Sequence, residues 1–164
     1  MVVVNKWTDA DAEAGNRANA ALTFGGKLLC LTGIVEIVAA DDDGSIYKMA
    51  RLPANAIPVK CEIVNDAITG LTDIDLGLYE DDETTEADKD LFMDGEDING
   101  GNALASPVDG LKTGPSIDEF GQKIWELLGK TIKNKKEGYV LALTANTVGS
   151  AAGTIAWKFW YILG

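Results

Sequence analysis

The chain has 164 residues, a length that suits a single domain with one hydrophobic core. Apolar residues make up 46% and charged residues 24%, a balance that excludes an intrinsically disordered protein. The formal net charge is −12. Because a nucleic-acid binder needs a basic stripe to neutralise phosphates, we expect no nucleic-acid partner.

Residues 1–26 differ in composition from the rest of the chain. They are rich in Ala, Asn, Asp and Gly and show no apolar stripe at helical spacing. We predict an extended N-terminal arm that either frays or orders on a neighbouring subunit. Trp7 favours the second alternative, because an exposed indole needs an apolar surface, and Arg17 is a further candidate contact residue of this arm.

Residues 27–164 are predicted to form one domain that begins with short strands. Leu, Ile, Val and Thr are frequent in 27–40, and the turn at 41–44, Asp-Asp-Asp-Gly, predicts a hairpin into a second strand over 45–52. A third strand is predicted over 59–64. The two cysteines lie in the first and third of these apolar runs, so we expect reduced, buried thiols in a protein that is made in the cytoplasm.

Residues 72–80 have the alternation of a strand with one buried and one solvated face. The predicted buried face consists of Ile74, Leu76 and Leu78, and the predicted wet face of Asp73, Asp75 and Gly77. An acidic loop insertion is predicted over about 80–116, with ten acidic residues against Lys89 alone between Glu80 and Asp97.

One short helix is predicted over 117–129, with a further strand as the alternative. Phe120, Ile124, Leu127 and Leu128 fall at helical spacing, Ser116 and Glu119 suit the start, and Gly129 suits the end. A small basic cluster follows, formed by Lys133, Lys135 and Lys136. It is either a solvated hairpin tip or a site that binds an acidic partner.

The end of the chain is predicted to form two strands, over 138–145 and 154–163. No charge occurs between Gly138 and Trp157, but the middle of this stretch is polar and turn-like, so we expect two strands joined by a hairpin and no membrane partner. Both faces of the last strand carry bulky residues, which predicts a central strand or one that meets a partner, with Trp160 as a candidate contact. Together these elements predict a mainly β fold, an antiparallel β-sandwich or jelly roll with at most one short helix.

No residue pattern in the sequence indicates catalysis. The chain has no histidine, the usual base of hydrolytic sites and the commonest metal ligand. Asp73 and Asp75 could act as a carboxylate pair, although a solvated strand face is the simpler interpretation. The acidic turns do not match an EF-hand, which leaves only a looser cation site between Asp90 and Asn102 as an alternative. We therefore expect no enzyme, no cofactor and no metal.

Several segments resemble a family of virion proteins of tailed phages, the capsid decoration (cement) or head auxiliary proteins. The resemblance extends over roughly residues 25–164 and is carried by 51–66 (RLPANAIPVKCEIVND), 72–79 (TDIDLGLY), Asp90-Leu91-Phe92 with Gly95, 139–145 (YVLALTA) and 152–155 (AGTI). It implies a β-sandwich without catalytic residues that binds the outer face of the major capsid protein lattice.

The resemblance leads to three alternative functions. The first is capsid decoration, by a homo-oligomer (a trimer is favoured) located on the capsid surface of the virion and made in the bacterial host cytoplasm. The second is a tail, baseplate or fibre-associated β-sandwich. The third, from a different class, is a carbohydrate-binding module in which Trp157, Phe159, Trp160 and Tyr161 form an aromatic platform.

Overall fold

The structure is a computed structural model that describes residues 27–131 and 138–164. The predicted N-terminal arm over 1–26, with Trp7 and Arg17, and the lysine cluster of Lys133, Lys135 and Lys136 lie outside the described residues. The described elements are, in chain order, β1 Leu28–Ile37, β2 Ser45–Pro53, β3 Ala56–Asn65, β4 Asp73–Tyr79, β5 Glu86–Glu96, β6 Val108–Asp109, α1 Ile124–Leu127, β7 Gly138–Thr147 and β8 Gly153–Leu163.

The strands form two four-stranded antiparallel sheets that pack face to face. Sheet A has the order β1-β8-β3-β6, and sheet B has the order β2-β7-β4-β5. Successive strands alternate between the sheets except for β4 and β5, which are neighbours in sheet B, and this strand order is that of an eight-stranded jelly roll. The mainly β sandwich predicted from the sequence is confirmed, and β8 is a central strand between β1 and β3, as its two bulky faces indicated.

The core lies between the inner faces of the sheets. Ile74, Leu76 and Leu78 of β4 are fully buried there, as their alternation predicted. Across the sandwich, the rings of Phe92 and Phe159 pack with their centroids 5.8 Å apart. Contacts of this kind between inward-facing side chains of both sheets supply the main stabilisation of a sandwich.

The hairpin predicted at 41–44 is wrong, because β1 and β2 belong to different sheets. β1 pairs with β8, and β2 pairs with β7. The connection crosses from one layer to the other and is fixed by Asp41, whose Oδ2 accepts hydrogen bonds from Val38 N at 2.9 Å and from Tyr47 Oη at 2.8 Å. The connection from β7 to β8, also predicted as a hairpin, likewise joins the two sheets.

The acidic segment is not a simple loop insertion. It contains β5, which pairs with β4 through several register shifts, and the two-residue strand β6. Phe92 and Met93 of β5 are fully buried in the core. The high density of acids concealed this strand, because its apolar residues form a short run without the alternation of a typical strand.

The predicted helix over 117–129 shortens to the four residues of α1. The expected capping contact is present, since Glu119 Oε2 accepts a hydrogen bond from Ser116 N at 2.9 Å. It stabilises a turn and does not begin a helix. Gly121 then adopts a φ of 88°, which interrupts helical geometry, and Phe120 remains 82% exposed. Gly129, with a φ of 63°, ends the helical turn where the sequence predicted.

Candidate interaction surface

The outer face of sheet B, the face turned away from sheet A, is partly covered by the protein itself. The turn over 80–85 lies across it from the end of β4 to β2. There Glu83 pairs with Lys48 at 2.9 Å, and both Glu83 and Asp81 pair with Arg51. Beneath this turn Tyr79, Val140 and Ala142 form a second, smaller buried cluster.

The acidic turn is organised by its own carboxylates. Asp82 Oδ1 accepts hydrogen bonds from the backbone nitrogens of Thr84 at 3.0 Å and Thr85 at 2.8 Å, and its Oδ2 accepts one from the Thr85 hydroxyl. These donors lower the pKa of Asp82 to about 2, because they stabilise the ionised carboxylate. The hydrogen bond from Lys48 lowers the pKa of Glu83 in the same way.

Asp75 of β4 is not on a wet strand face, contrary to the sequence prediction. It is 1% exposed, and its carboxylate accepts hydrogen bonds from Gly95 N at 2.9 Å and Asn146 Nδ2 at 2.7 Å. Lys89 Nζ lies 3.2 Å from the same carboxylate. The β5 backbone also folds over Gly77, where an added Cβ would lie 2.2 Å from the carbonyl oxygen of Asp88. A strand therefore covers the face that alternation assigned to solvent.

Asp73 and Asp75 share one partner. Asn146 Nδ2 donates to Asp73 Oδ1 at 2.9 Å as well as to Asp75, and Lys89 Nζ donates to Asn146 Oδ1 at 2.9 Å. The side-chain hydrogen bond to Asp75 raises the pKa of Lys89. Lys89 was recognisable in the sequence as the single base of the acidic segment, whereas nothing in the sequence indicated Asn146.

The outer face of sheet A, by contrast, is open over much of its area and largely apolar. Leu28 is 55% exposed and Ile34 is 68% exposed on β1. The strand registers place Leu28, Ile162 and Ile57 side by side across three strands. We call this surface the open face; it comprises Leu28, Cys30, Thr32 and Ile34 of β1, Ile57, Lys60, Glu62 and Val64 of β3, and Ala156, Lys158, Trp160 and Ile162 of β8.

Trp160 lies on the central strand β8, near one end of the open face. In the strand register it is between Cys30 of β1 and Lys60 of β3. Lys60 Nζ lies over its ring, 5.6 Å from the centroid, a cation–π geometry. Trp160 is the only one of the sequence-predicted contact residues that falls within residues 27–131 and 138–164. The structure places it on the open face, where it is partly exposed, and its role as a contact residue stays a prediction.

The other three aromatics of β8 do not join Trp160 in a platform. Trp157, Phe159 and Tyr161 face the core and are buried. The alternation of β8 thus separates the four aromatics that a carbohydrate-binding platform would bring together.

The two cysteines differ in their exposure to solvent. Cys61 is buried in the core as predicted, and burial raises the pKa of its thiol. Cys30 is exposed on the open face, contrary to the prediction, because β1 turns alternate side chains outward from an edge of the sandwich.

A groove of about 460 Å³ borders the far end of the open face. It lies between β3, β8 and the loop over 101–104, and Leu104 on its rim is 76% exposed. The loop is held by Asn65, whose backbone exchanges two hydrogen bonds with that of Asn102, at 3.0 and 2.9 Å. The groove therefore extends the open face along its long direction.

Within residues 27–131 and 138–164, no group of three or more acidic or cysteine side chains is placed to hold a metal ion. Over the same residues, no helix is long and apolar enough to cross a membrane.

Two solved structures contain chains with a similar fold. A chain in the capsid of Ralstonia phage GP4 is 16% identical, with a TM-score of 0.58, over 85% of this chain and 86% of that one. A chain in the capsid asymmetric unit of cyanophage Pam1 is also 16% identical, with a TM-score of 0.50, over 86% of this chain and 88% of that one. No protein-family model and no curated protein matches the sequence.

Proposed function

We propose that this protein is a non-enzymatic capsid decoration (cement) protein of a tailed phage, which binds the outer face of the major capsid protein lattice through the open face. The observation that carries the proposal is the contrast between the two outer faces. The protein partly covers sheet B with its own acidic turn and leaves an apolar surface around Trp160 on sheet A. The likeness to chains found in two phage capsids supports the same assignment.

An adhesive role fits the physical character of the open face. A contiguous apolar surface on a soluble domain usually meets a partner, and Trp is among the residues that contribute most to binding energy. Weak contacts of single copies add up when many copies bind a symmetric lattice. We propose a virion location on the capsid surface and a homo-oligomer with three copies favoured.

Binding to capsids that lack the protein tests the proposal. The purified protein should bind such particles at a fixed stoichiometry, measured by co-sedimentation. Trp160→Glu and Leu28→Glu should each weaken binding by about 30-fold or more, because each places a charge in an apolar contact. Ile46→Glu is the matched control, since Ile46 lies on the outer face of sheet B and is also partly exposed.

Two results would contradict the proposal. One is the absence of binding at micromolar concentrations of folded protein, and the other is an equal loss of binding with the Ile46→Glu control. Antibody labelling of intact particles separates the head location from the tail or baseplate alternative. Label confined to tails would overturn the capsid assignment and leave a virion role.

A further inference from the structure

The ion pairs of the acidic turn, residues 80–85, extend across a central strand of sheet B. The order β2-β7-β4 places β7 between the strand that carries Lys48 and Arg51 and the strand that precedes the turn. In the strand register Lys48 lies beside Ala142, and Arg51 lies beside Val140. Because neighbouring strands are about 5 Å apart, a side chain that reaches from β2 to the acidic turn must pass over β7. The aliphatic stems of the two basic side chains therefore cover the apolar residues of β7.

The acidic turn is held in place by charge. Its sequence, Glu-Asp-Asp-Glu-Thr-Thr, contains no apolar side chain that could anchor it in the core. Ion pairs attach it to its surroundings: Lys48–Glu83 at 2.9 Å, Arg51–Glu83 at 2.5 Å, Arg51–Asp81 and Lys130–Glu80. Every side chain in these pairs is at least 36% exposed. Dissolved salt therefore screens the interactions that hold the turn.

The backbone and the packing of the acidic turn favour a local opening. Glu83 adopts a φ of 66°, in the left-handed region that a residue with a Cβ occupies only at a cost. Tyr79, Val140 and Ala142 form a buried cluster separate from the main core, on the opposite face of sheet B. Tyr79 Oη is 2.7 Å from Thr144 Oγ1, a hydrogen bond that does not involve the turn. The turn can therefore leave this cluster while the sandwich core stays packed.

We propose that the acidic turn, together with the side chains of Lys48 and Arg51, is a charge-held lid over a second apolar surface. The lid is closed at neutral pH, and it opens when its carboxylates are protonated or when salt screens its ion pairs. With the lid open, sheet B exposes Tyr79, Val140 and Ala142 in addition to the open face of sheet A. The inference goes beyond the proposed capsid role and does not depend on it.

The carboxylates of the turn determine the pH dependence of the lid. Charged and titratable groups lie near the turn on each neighbouring element: Lys48 and Arg51 on β2, Asp75 and Tyr79 on β4, Glu86 and Lys89 on β5, and Lys130 after α1. The bases and the tyrosine stay protonated below about pH 7. The hydrogen bond from Lys48 lowers the pKa of Glu83, so this pair stabilises the closed lid above the ordinary glutamate pKa of about 4.3. The stabilisation is lost as the pH falls through the lowered pKa.

A thiol placed under the lid reports its opening. In the full-length Cys30→Ser/Val140→Cys variant, the introduced thiol replaces a larger side chain that is 3% exposed. Cys61, which is buried in the main core, reports global unfolding of the same molecule. The rate at which each thiol reacts with dithiodipyridine is measured by peptide mass spectrometry, relative to a small free thiol in the same buffer.

The introduced thiol should be protected at neutral pH and low salt. Its relative rate should rise about 3- to 30-fold at about 1 M salt, and likewise when the pH is lowered below about 4, while Cys61 stays protected. Arg51→Met keeps an apolar stem and removes two ion pairs, so it should cause a similar rise at low salt. Lys112→Met is the matched control, because it changes the net charge equally and removes an ion pair with Glu96, at 2.5 Å, outside the turn.

Three results would overturn the inference. One is an introduced thiol that reacts as fast as the free thiol at neutral pH and low salt. Another is protection that salt, acid and Arg51→Met leave unchanged, or that Lys112→Met reduces equally. The third is reaction of Cys61 together with the introduced thiol, since the turn would then open only with the whole fold. Amide hydrogen exchange of the wild-type chain tests the lid without substitutions: salt should accelerate exchange in 80–85 and not in β8, and equal behaviour of the two segments contradicts the lid.

Discussion

Replacement of Asp75 by Ala should destabilise the protein strongly, although the residue occupies a position that alternation assigns to solvent. The carboxylate is buried and accepts hydrogen bonds from Gly95 N and Asn146 Nδ2, at 2.9 and 2.7 Å. Its removal leaves both donors without this acceptor. Lys89 retains a half-buried position, since its side chain is 33% exposed, and can turn towards water.

The magnitude follows from the donors that lose their acceptor. Leaving a buried donor unsatisfied costs about 1–3 kcal/mol, and two are affected, of which Asn146 keeps Asp73 as a second acceptor. We therefore expect Asp75→Ala to lower the free energy of unfolding by about 2–4 kcal/mol. Asp75→Asn retains one acceptor oxygen and should cost about half as much.

Urea unfolding followed by tryptophan fluorescence measures this difference, compared at equal m-values. Asp73→Ala is the matched control, because Asp73 has the same side chain on the same strand, bonds the same Asn146 and is more exposed. It should cost less than about 1 kcal/mol. The reasoning is refuted if Asp75→Ala also costs less than about 1 kcal/mol, or if the two alanine variants are equally destabilised.

Three further results are expected. Gly33→Ala should cost about 1–3 kcal/mol in thermal or urea unfolding, because the new Cβ would lie 2.8 Å from the Trp157 ring; unchanged stability would contradict the packing described. In the folded protein a thiol reagent should modify Cys30 rapidly, and Cys61 only after unfolding; equal rates would contradict their different burial. The pKa of Asp82 is lowered to about 2, so its contribution to stability is present above pH ~4 and is lost as the pH falls towards 2. The stability advantage of wild type over Asp82→Asn should therefore shrink over that range, and a constant difference would contradict it.

Periodicity predicted the elements that bury one face. The inner face of β4 and the central place of β8 followed from their sequences, because apolar residues two positions apart must face the same core. The connections between strands were harder to predict, since Asp-Asp-Asp-Gly suits a hairpin and a crossing between the two sheets equally well. The strand pairings distinguish the two, since β1 pairs with β8 and β2 pairs with β7.

The sequence was least informative where one segment covers another. Asp75 and Gly77 look solvated from their own strand, and they are buried because β5 folds over them. Cys30 looks buried from its apolar neighbours, and it is exposed because β1 is an edge strand whose outer face is uncovered. The outward position of Trp160 followed from the bulky residues on both faces of β8, whereas its role as a contact residue stays a prediction.

The proposed capsid role requires a protein with a net charge of −12 to adhere to a lattice, and the distribution of its charge permits this. The acids are concentrated in the 80–97 segment around sheet B, whereas the open face carries lysines as well as acids, among them Lys60, Lys158 and Glu62. These acids repel another molecule through the solvent, where interactions beyond the Debye length of about 8 Å are largely screened at physiological ionic strength. We therefore expect local apolar contacts to determine binding at the open face. At low ionic strength the same acids act over a longer range, so copies should bind a crowded lattice less readily.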